Sequence, residues 1–212
     1  IFGFILWIHI YMYFPNLKQE THNVKINYPA AFKNKAVISI FVYIFLISLI
    51  YHGIQQWLSV YFSVQFGLTQ FIISILIMLT SFSGIFGEFL GGWSADYFGR
   101  IKTVTFGIIL MILSAFLLIF KSPLWILALL MIIWGLGWTF NHAGISTLLT
   151  DLPKEFLNEA ASLNSSVRFI SGGLGAALGG VLMRQNFNLG FIAFGISLIL
   201  LTVTSKKMLI VK

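Results

Sequence analysis

Six long apolar segments dominate this sequence and limit what the chain can fold into. They cover residues 36–62, 71–92, 103–120, 123–150, 160–183 and 189–204. Most approach or exceed the roughly 20 residues that an α-helix needs to cross the hydrocarbon core of a bilayer. The chain is 58% hydrophobic and only 9% charged, so a soluble fold could not hide its apolar surface. We therefore predict an all-α, polytopic membrane protein with six transmembrane helices.

The residues before and after these segments complete the predicted domain layout. Residues 1–14 are apolar but too short to span a bilayer, and we interpret them as the end of a preceding transmembrane helix. Residues 15–35 are polar and lysine-rich, as expected of a connecting loop. A six-helix bundle over 36–205 and a tail over 206–212 follow. This layout indicates a piece of a longer protein.

Lysine and arginine are divided unequally between the two sides of the predicted membrane. Only Lys121 and Arg184 lie on one side. The other side holds ten: Lys18, Lys25, Lys33, Lys35, Arg100, Lys102, Lys154, Lys206, Lys207 and Lys212. Because basic residues accumulate in cytoplasmic loops, the loop containing Arg100 and the C-terminus should be cytoplasmic. The net charge of +7 then faces anionic lipid, and we expect no nucleic-acid partner.

A short charged turn separates the second apolar segment from the third. It carries Gly92, Asp96, Tyr97, Gly99, Arg100 and Lys102. Lying between two membrane helices, this pattern resembles the signature loop of the major facilitator superfamily, and the chain resembles the C-terminal half of such a transporter. The resemblance implies a cytoplasmic loop that latches helix ends in one conformation, and an N-terminal six-helix half missing from this chain. The alternative is a solvated turn that is held inside by its basic charges.

An internal repeat fits the same comparison. Residues 83–92 and 171–180 align without gaps, and six of the ten positions are identical. Three helices per copy is an odd number, so the copies would be inverted, as in the three-plus-three repeats of transporter halves. Chance similarity between glycine-rich helices is the alternative. We expect the two glycine faces to lack partners within six helices: Gly84, Gly87 and Gly91 on one, Gly172, Gly175 and Gly179 on the other.

Polar side chains inside membrane helices are costly and therefore mark candidate functional positions. One polar stripe follows the first apolar segment at helical spacing, and a second follows the fourth. In the superfamily that the chain resembles, these two helices line the central cavity. We therefore predict nine cavity residues: Ser48, Tyr51, His52, Gln55, Gln56, Trp134, Trp138, Asn141 and His142. The alternative is that these side chains bond neighbouring helices and stabilise their packing.

Two charged residues lie well inside predicted helices. The segment around Arg168 resembles the eleventh helix of drug-efflux members, which implies a structural or gating role at the cleft between the halves. The alternative is an arginine that extends to the cytoplasmic interface. For Glu88 two roles stay open, namely proton carriage and pairing with the basic residues of the nearby loop.

The predicted function is secondary active transport of a small solute by alternating access, with no enzymatic activity. Our first choice is efflux of drug-like or metabolite compounds across the plasma membrane by proton antiport. An uptake or sugar-efflux permease of the same superfamily is the alternative, and a seven-helix receptor-like protein is a distant one. The chain has no cysteine and no metal-ligand spacing, so we expect no metal and no cofactor.

Overall fold

The structure is a computed structural model that describes residues 2–13 and 27–210. These residues form nine α-helices: α1 (Phe2–Tyr13), α2 (Tyr28–Ala31), α3 (Lys35–Gln55), α4 (Leu58–Phe66), α5 (Gln70–Tyr97), α6 (Arg100–Leu117), α7 (Leu124–Leu149), α8 (Leu157–Gln185) and α9 (Phe187–Met208). A 3₁₀ turn, Lys154–Phe156, precedes α8. The described ranges contain no β-strand, which confirms the predicted all-α class. Most of the predicted loop (residues 15–26) and the last two residues of the tail (211–212) lie outside the described residues.

Six spans among the described residues are long and apolar enough to cross a membrane, which confirms the predicted number. They are Lys35–Phe66, Gln70–Tyr97, Arg100–Leu117, Leu124–Leu149, Lys154–Gln185 and Phe187–Met208. Several helices extend a few residues beyond the apolar segments, because polar residues at a membrane surface continue the same hydrogen-bonded helix. The region 2–13 is also helical, and those of its side chains that are described are exposed.

The first span is interrupted where α3 meets α4, at Gln56 and Trp57. The Gln56 N–H still donates to the His52 carbonyl at 3.2 Å, but the Trp57 N–H donates to the Ile54 carbonyl at 3.0 Å, which is the 3₁₀ pattern and one residue tighter than an α-helix. The Trp57 indole N–H crosses to α8 and donates to the carbonyl of Ala176 at 3.0 Å. The break therefore lies against α8, and interrupted helices of this kind are common beside the solute sites of transporters.

Glycines bring α5 into contact with α7. A Cβ added at Gly87 would overlap the side chain of Thr139, and one at Gly91 would lie 3.1 Å from the Cα of Phe140. Residues without side chains allow helix backbones to approach closely in lipid, where packing rather than water exclusion drives association. The glycine face of α5 is therefore buried inside this bundle.

The glycine face of α8 packs in the same way against α3. A Cβ at Gly175 would overlap the backbone of Leu49, and one at Gly179 would overlap the backbone of Gly53. The expectation that both glycine faces lack partners within six helices is therefore wrong. Each face packs on the first helix of the other three-helix unit, and this exchange is what an inverted repeat requires.

The short helix α2 ties the connecting segment to the start of α8. The Asn27 N–H donates to Glu159 Oε1 at 2.5 Å, and the hydroxyls of Tyr28 and Ser162 are 2.8 Å apart. Glu159 is fully buried in the first turn of α8, where the helix dipole favours a carboxylate. The end of the predicted loop is thus an ordered helical contact.

Candidate functional site

A cavity of about 520 Å³ opens between α3, α5, α7 and α8. Six of its lining residues are polar or charged: His52, Gln56, Glu88, His142, Ser165 and Arg168. The other lining residues are Trp138, Phe169, Gly172, Gly173 and Ala176. The α8 side of the cavity has small residues, and the bordering side chains of Gln56 and Glu88 are exposed. The cavity is therefore an open cleft on one face of the bundle.

Glu88 and His142 form an acid–base pair inside this cleft. Glu88 Oε1 lies 2.7 Å from His142 Nδ1, and both side chains are partly exposed. Helix packing explains this contact. Gly87, next to Glu88, packs against Thr139, which lies one turn before His142. The two groups attract each other when the imidazole is protonated, although Nδ1 and the carboxylate do not have hydrogen-bond geometry.

Arg168 borders the cleft from α8, and its guanidinium is held by two neighbours. Its Nε donates to Asn164 Oδ1 at 2.9 Å, and its Cζ lies 5.6 Å from the ring centroid of Trp138. Its two terminal nitrogens, Nη1 and Nη2, are buried and have no hydrogen-bond partner among residues 2–13 and 27–210. The guanidinium therefore packs between its own helix and Trp138 of α7.

Stacked aromatic rings position Trp138 at the cleft. Tyr51 lies between two indoles, with ring centroids 3.9 Å from Trp138 and 5.4 Å from Trp134. The Trp134 indole N–H donates to Gln55 Oε1 at 2.7 Å, which fixes the far end of the stack. Offset ring pairs and a satisfied indole make this wall rigid.

The structure places four of the nine predicted cavity residues in the cleft lining: His52, Gln56, Trp138 and His142. The other five lie behind the wall: Ser48, Tyr51, Gln55, Trp134 and Asn141. Asn141 shows why, since it is fully buried and its Nδ2 donates to the Tyr43 hydroxyl at 2.6 Å. Each polar stripe is wide enough to face both the cleft and the neighbouring helix.

Sequence reasoning did not select Ser165 and Phe169, which also line the cleft. Ser165 precedes Arg168 by three residues and so shares its helical face, and that spacing is the signal that identifies it. Phe169 carries no such signal, because an exposed phenylalanine on a membrane helix looks the same whether it faces lipid or a solute.

The signature turn makes one ion pair across the bundle. Gly99 has φ +98°, a conformation that favours glycine, and it begins α6 immediately before Arg100. Arg100 Nε lies 2.7 Å from Asp151 Oδ2 and also donates to the Thr147 carbonyl at 3.3 Å. The turn is thus connected to the end of α7, whereas Asp96 is exposed and pairs with no described basic residue.

The remaining signature residues lie at the surface of the turn. Tyr97 stacks on Trp93 with ring centroids 5.5 Å apart, and both side chains are exposed. Lys102 is exposed, and a Cβ at Gly92 would meet open space. These residues do not contribute to the cleft.

Comparisons with known proteins agree with this architecture. A family model described as Major Facilitator Superfamily matches residues 1–176 and, in a second match, residues 87–211. Two Helicobacter pylori proteins named probable sugar efflux transporter are similar over 130 residues. The one from strain G27 is 27% identical and the one from strain ATCC 700392 / 26695 is 26% identical. The matched region covers 58% of this chain and 31% of each relative, so the chain spans about a third of their length.

A solved structure supports the fold. A peptide transporter of the POT type, crystallised as a mutant in complex with sulfate, matches with a TM-score of 0.64 and 22% sequence identity. The match covers 81% of this chain and 38% of that transporter. With the family match over most of the sequence, the resemblance based on the signature turn is confirmed. The chain belongs to the Major Facilitator Superfamily.

Proposed function

We propose that this chain forms one half of a secondary active transporter that moves a small polar solute by alternating access. The observation that carries the proposal is a cleft with an acid–base pair and an arginine, open on one face of a six-helix bundle. Superfamily transporters bind their solute near the membrane midplane between two halves that rock against each other. A volume of about 520 Å³ is within the range of small-molecule sites.

The lining of the cleft offers several partners to a hydroxylated solute. Most of the lining surface is apolar, as in other small-molecule sites, but six lining side chains can form hydrogen bonds. The similar Helicobacter pylori proteins are named probable sugar efflux transporters. We therefore favour the sugar-efflux alternative and assign efflux of a sugar-like solute as the proposed activity.

The proposed coupling is proton antiport through Glu88 and His142. An ionised Glu88 accepts strong, charge-assisted hydrogen bonds from solute hydroxyls, whereas protonation removes the charge and turns one of its two oxygens into a donor. Proton binding and solute binding then compete in the same cleft. Competition of this kind is what exchange of a proton for a solute requires.

The second half of the transporter is proposed to cover the open face of the cleft. Phe169 lines this cleft and is exposed, and further large apolar side chains of α5 and α8 are exposed as well: Phe82, Phe86, Phe89, Ile170 and Leu174. We propose a plasma-membrane location with the signature turn and the C-terminus in the cytoplasm, which the excess of basic residues on that side supports.

Vesicle reconstitution tests this function. The 212-residue chain is purified alone and together with a superfamily N-terminal half, and uptake of radiolabelled D-glucose is measured under an imposed pH gradient. We expect saturable, gradient-driven transport only when both halves are present. Transport by the chain alone would instead make it a self-sufficient dimer, and no glucose transport in either form would contradict the proposed solute class.

A further inference from the structure

We propose that Arg168 is a specificity-determining residue that donates paired hydrogen bonds to two adjacent oxygens of the solute, and that Asn164 positions it. The inference rests on the proposed function, since it needs a hydroxylated solute in the cleft. It specifies the solute class further, as a neutral molecule with two hydroxyl groups on adjacent carbons. It also assigns to α8 a direct role in binding.

The first step is the incomplete hydrogen bonding of the guanidinium. Nε is satisfied by Asn164 Oδ1 at 2.9 Å, whereas Nη1 and Nη2 are buried and find no partner in the part of the chain that the structure describes. Buried donors of a charged group that lack an acceptor are strongly unfavourable. A state in which both terminal nitrogens find acceptors is therefore more stable than this one.

The second step is that the described residues around Arg168 do not supply those acceptors. No described carboxylate lies within the 4.0 Å of an ion pair, and Glu88 is in contact with His142 instead. The Tyr43 hydroxyl is bonded to Asn141, and Trp138 offers only its ring face at 5.6 Å. The cleft, which Arg168 borders, is the remaining source of acceptors.

The third step concerns access to the cleft. Beyond Arg168 on α8, Gly172 packs against the His52 ring, whereas Gly173 lines the cleft with nothing within 4 Å of an added Cβ. Because the guanidinium is planar, Nη1 and Nη2 reach this space only when the side chains of Arg168 and Asn164 shift together and keep the bond from Nε that orients the fork. A planar fork matches two neighbouring oxygens, which a lysine ammonium cannot do.

The charges of the cleft select a neutral diol over an anion. Glu88 on α5 is an acceptor for a solute hydroxyl, and Arg168 on α8 is a double donor. A vicinal diol satisfies both, because each hydroxyl donates and accepts. A carboxylate would be attracted by Arg168 but repelled by Glu88 in the same cavity.

Binding measurements on substituted proteins test the inference. The chain is placed in lipid nanodiscs with an N-terminal half and titrated with D-glucose, with each monodeoxyglucose and with D-glucuronate. The variants are Arg168→Gln, Arg168→Lys and Asn164→Ala. Arg184→Gln serves as the matched control, because Arg184 lies on the same helix outside the cleft. Helical content and thermal midpoint are recorded for every variant.

For the unsubstituted protein we expect one or two monodeoxyglucoses to bind about tenfold or more weakly than glucose, as loss of a hydrogen bond to a charged group predicts. Arg168→Gln should remove that discrimination, whereas Arg184→Gln should retain it. Arg168→Lys and Asn164→Ala keep a positive charge at residue 168 but lose the oriented fork, so both should reduce the discrimination. These two variants decide the question if Arg168→Gln does not fold.

Two outcomes would overturn this assignment while leaving the proposed function intact. One is full discrimination among deoxyglucoses in all three variants, which would leave Arg168 a packing residue. The other is glucuronate binding more tightly than glucose and losing this advantage in Arg168→Gln, which would make the ligand an anion. If no sugar binds to the unsubstituted protein, the sugar class fails and this assignment fails with it.

Discussion

Glu88 on α5 and His142 on α7 meet at 2.7 Å, and glycine packing between their helices brings them together. A Cβ at Gly87 would overlap Thr139, so α5 can approach α7 this closely only because residue 87 has no side chain. Ionisable side chains inside a membrane protein are costly unless they are paired or face a cavity. Here both groups border the same cleft as Arg168 and His52, which places four ionisable side chains in one cavity.

Replacing a packed glycine should destabilise the bundle far more than replacing an unpacked one. In Gly175→Ala the new methyl group would overlap the backbone of Leu49, and backbone cannot move aside as a side chain can. We expect a loss of about 1–3 kcal/mol or more, as for other overpacked cores. Gly173→Ala on the same helix is the control, since nothing lies within 4 Å of its added Cβ. Thermal unfolding in detergent compares the two, and equal midpoints would contradict the helix contact.

Neutralising Glu88 should uncouple transport from the proton gradient. Glu88→Gln keeps the size of the side chain and its contact with His142 but cannot carry a proton. Transport of D-glucose driven by a pH gradient should be lost, while exchange of labelled for unlabelled glucose at equal pH should persist. Glu155→Gln is the control, because Glu155 is exposed and lies outside the cleft. Gradient-driven transport that survives in Glu88→Gln would exclude this acid as the coupling group.

The pair formed by Arg100 and Asp151 should act as the cytoplasmic latch. Arg100→Ala and Asp151→Ala should each slow transport several-fold, and the double variant should be no slower than either, because both substitutions remove the same contact. The effect on stability should stay within about 1 kcal/mol, since both side chains are a third or more exposed. Asp96→Asn should have a smaller effect, because Asp96 has no ion-pair partner among the described residues. Additive slowing in the double variant would argue against a shared latch.

The orientation of the chain can be tested with single cysteines, because the native sequence has none. Lys102→Cys suits this test better than a substitution at Gly99, whose φ of +98° would strain any other residue. We expect an impermeant thiol reagent added to intact cells to label Lys121→Cys and not Lys102→Cys. Both lysines are exposed, so accessibility within the protein is matched. The reverse labelling pattern would invert the proposed topology.

Local sequence properties determined the class, the number of spans and the family. Apolar length is sufficient to identify each membrane helix, because every backbone group in the bilayer must bond within its own segment. The signature turn is also local, since its spacing from Gly92 to Lys102 is read along a single connection. The notable local error is in the segment before α3, where Asn27 caps a short helix that was predicted as loop.

Only the tertiary structure decided which polar residues meet. Helical periodicity groups Ser48 with His52 on one face, but it does not say that the first lies behind the wall and the second lines the cleft. Sequence reasoning meets the same limit at the glycine faces of α5 and α8. A helix face that packs inside the bundle and one that contacts another half of the protein are both made of small, apolar residues. In a bilayer, lipid and protein neighbours are both apolar, so polarity along the chain identifies the helices but not their partners.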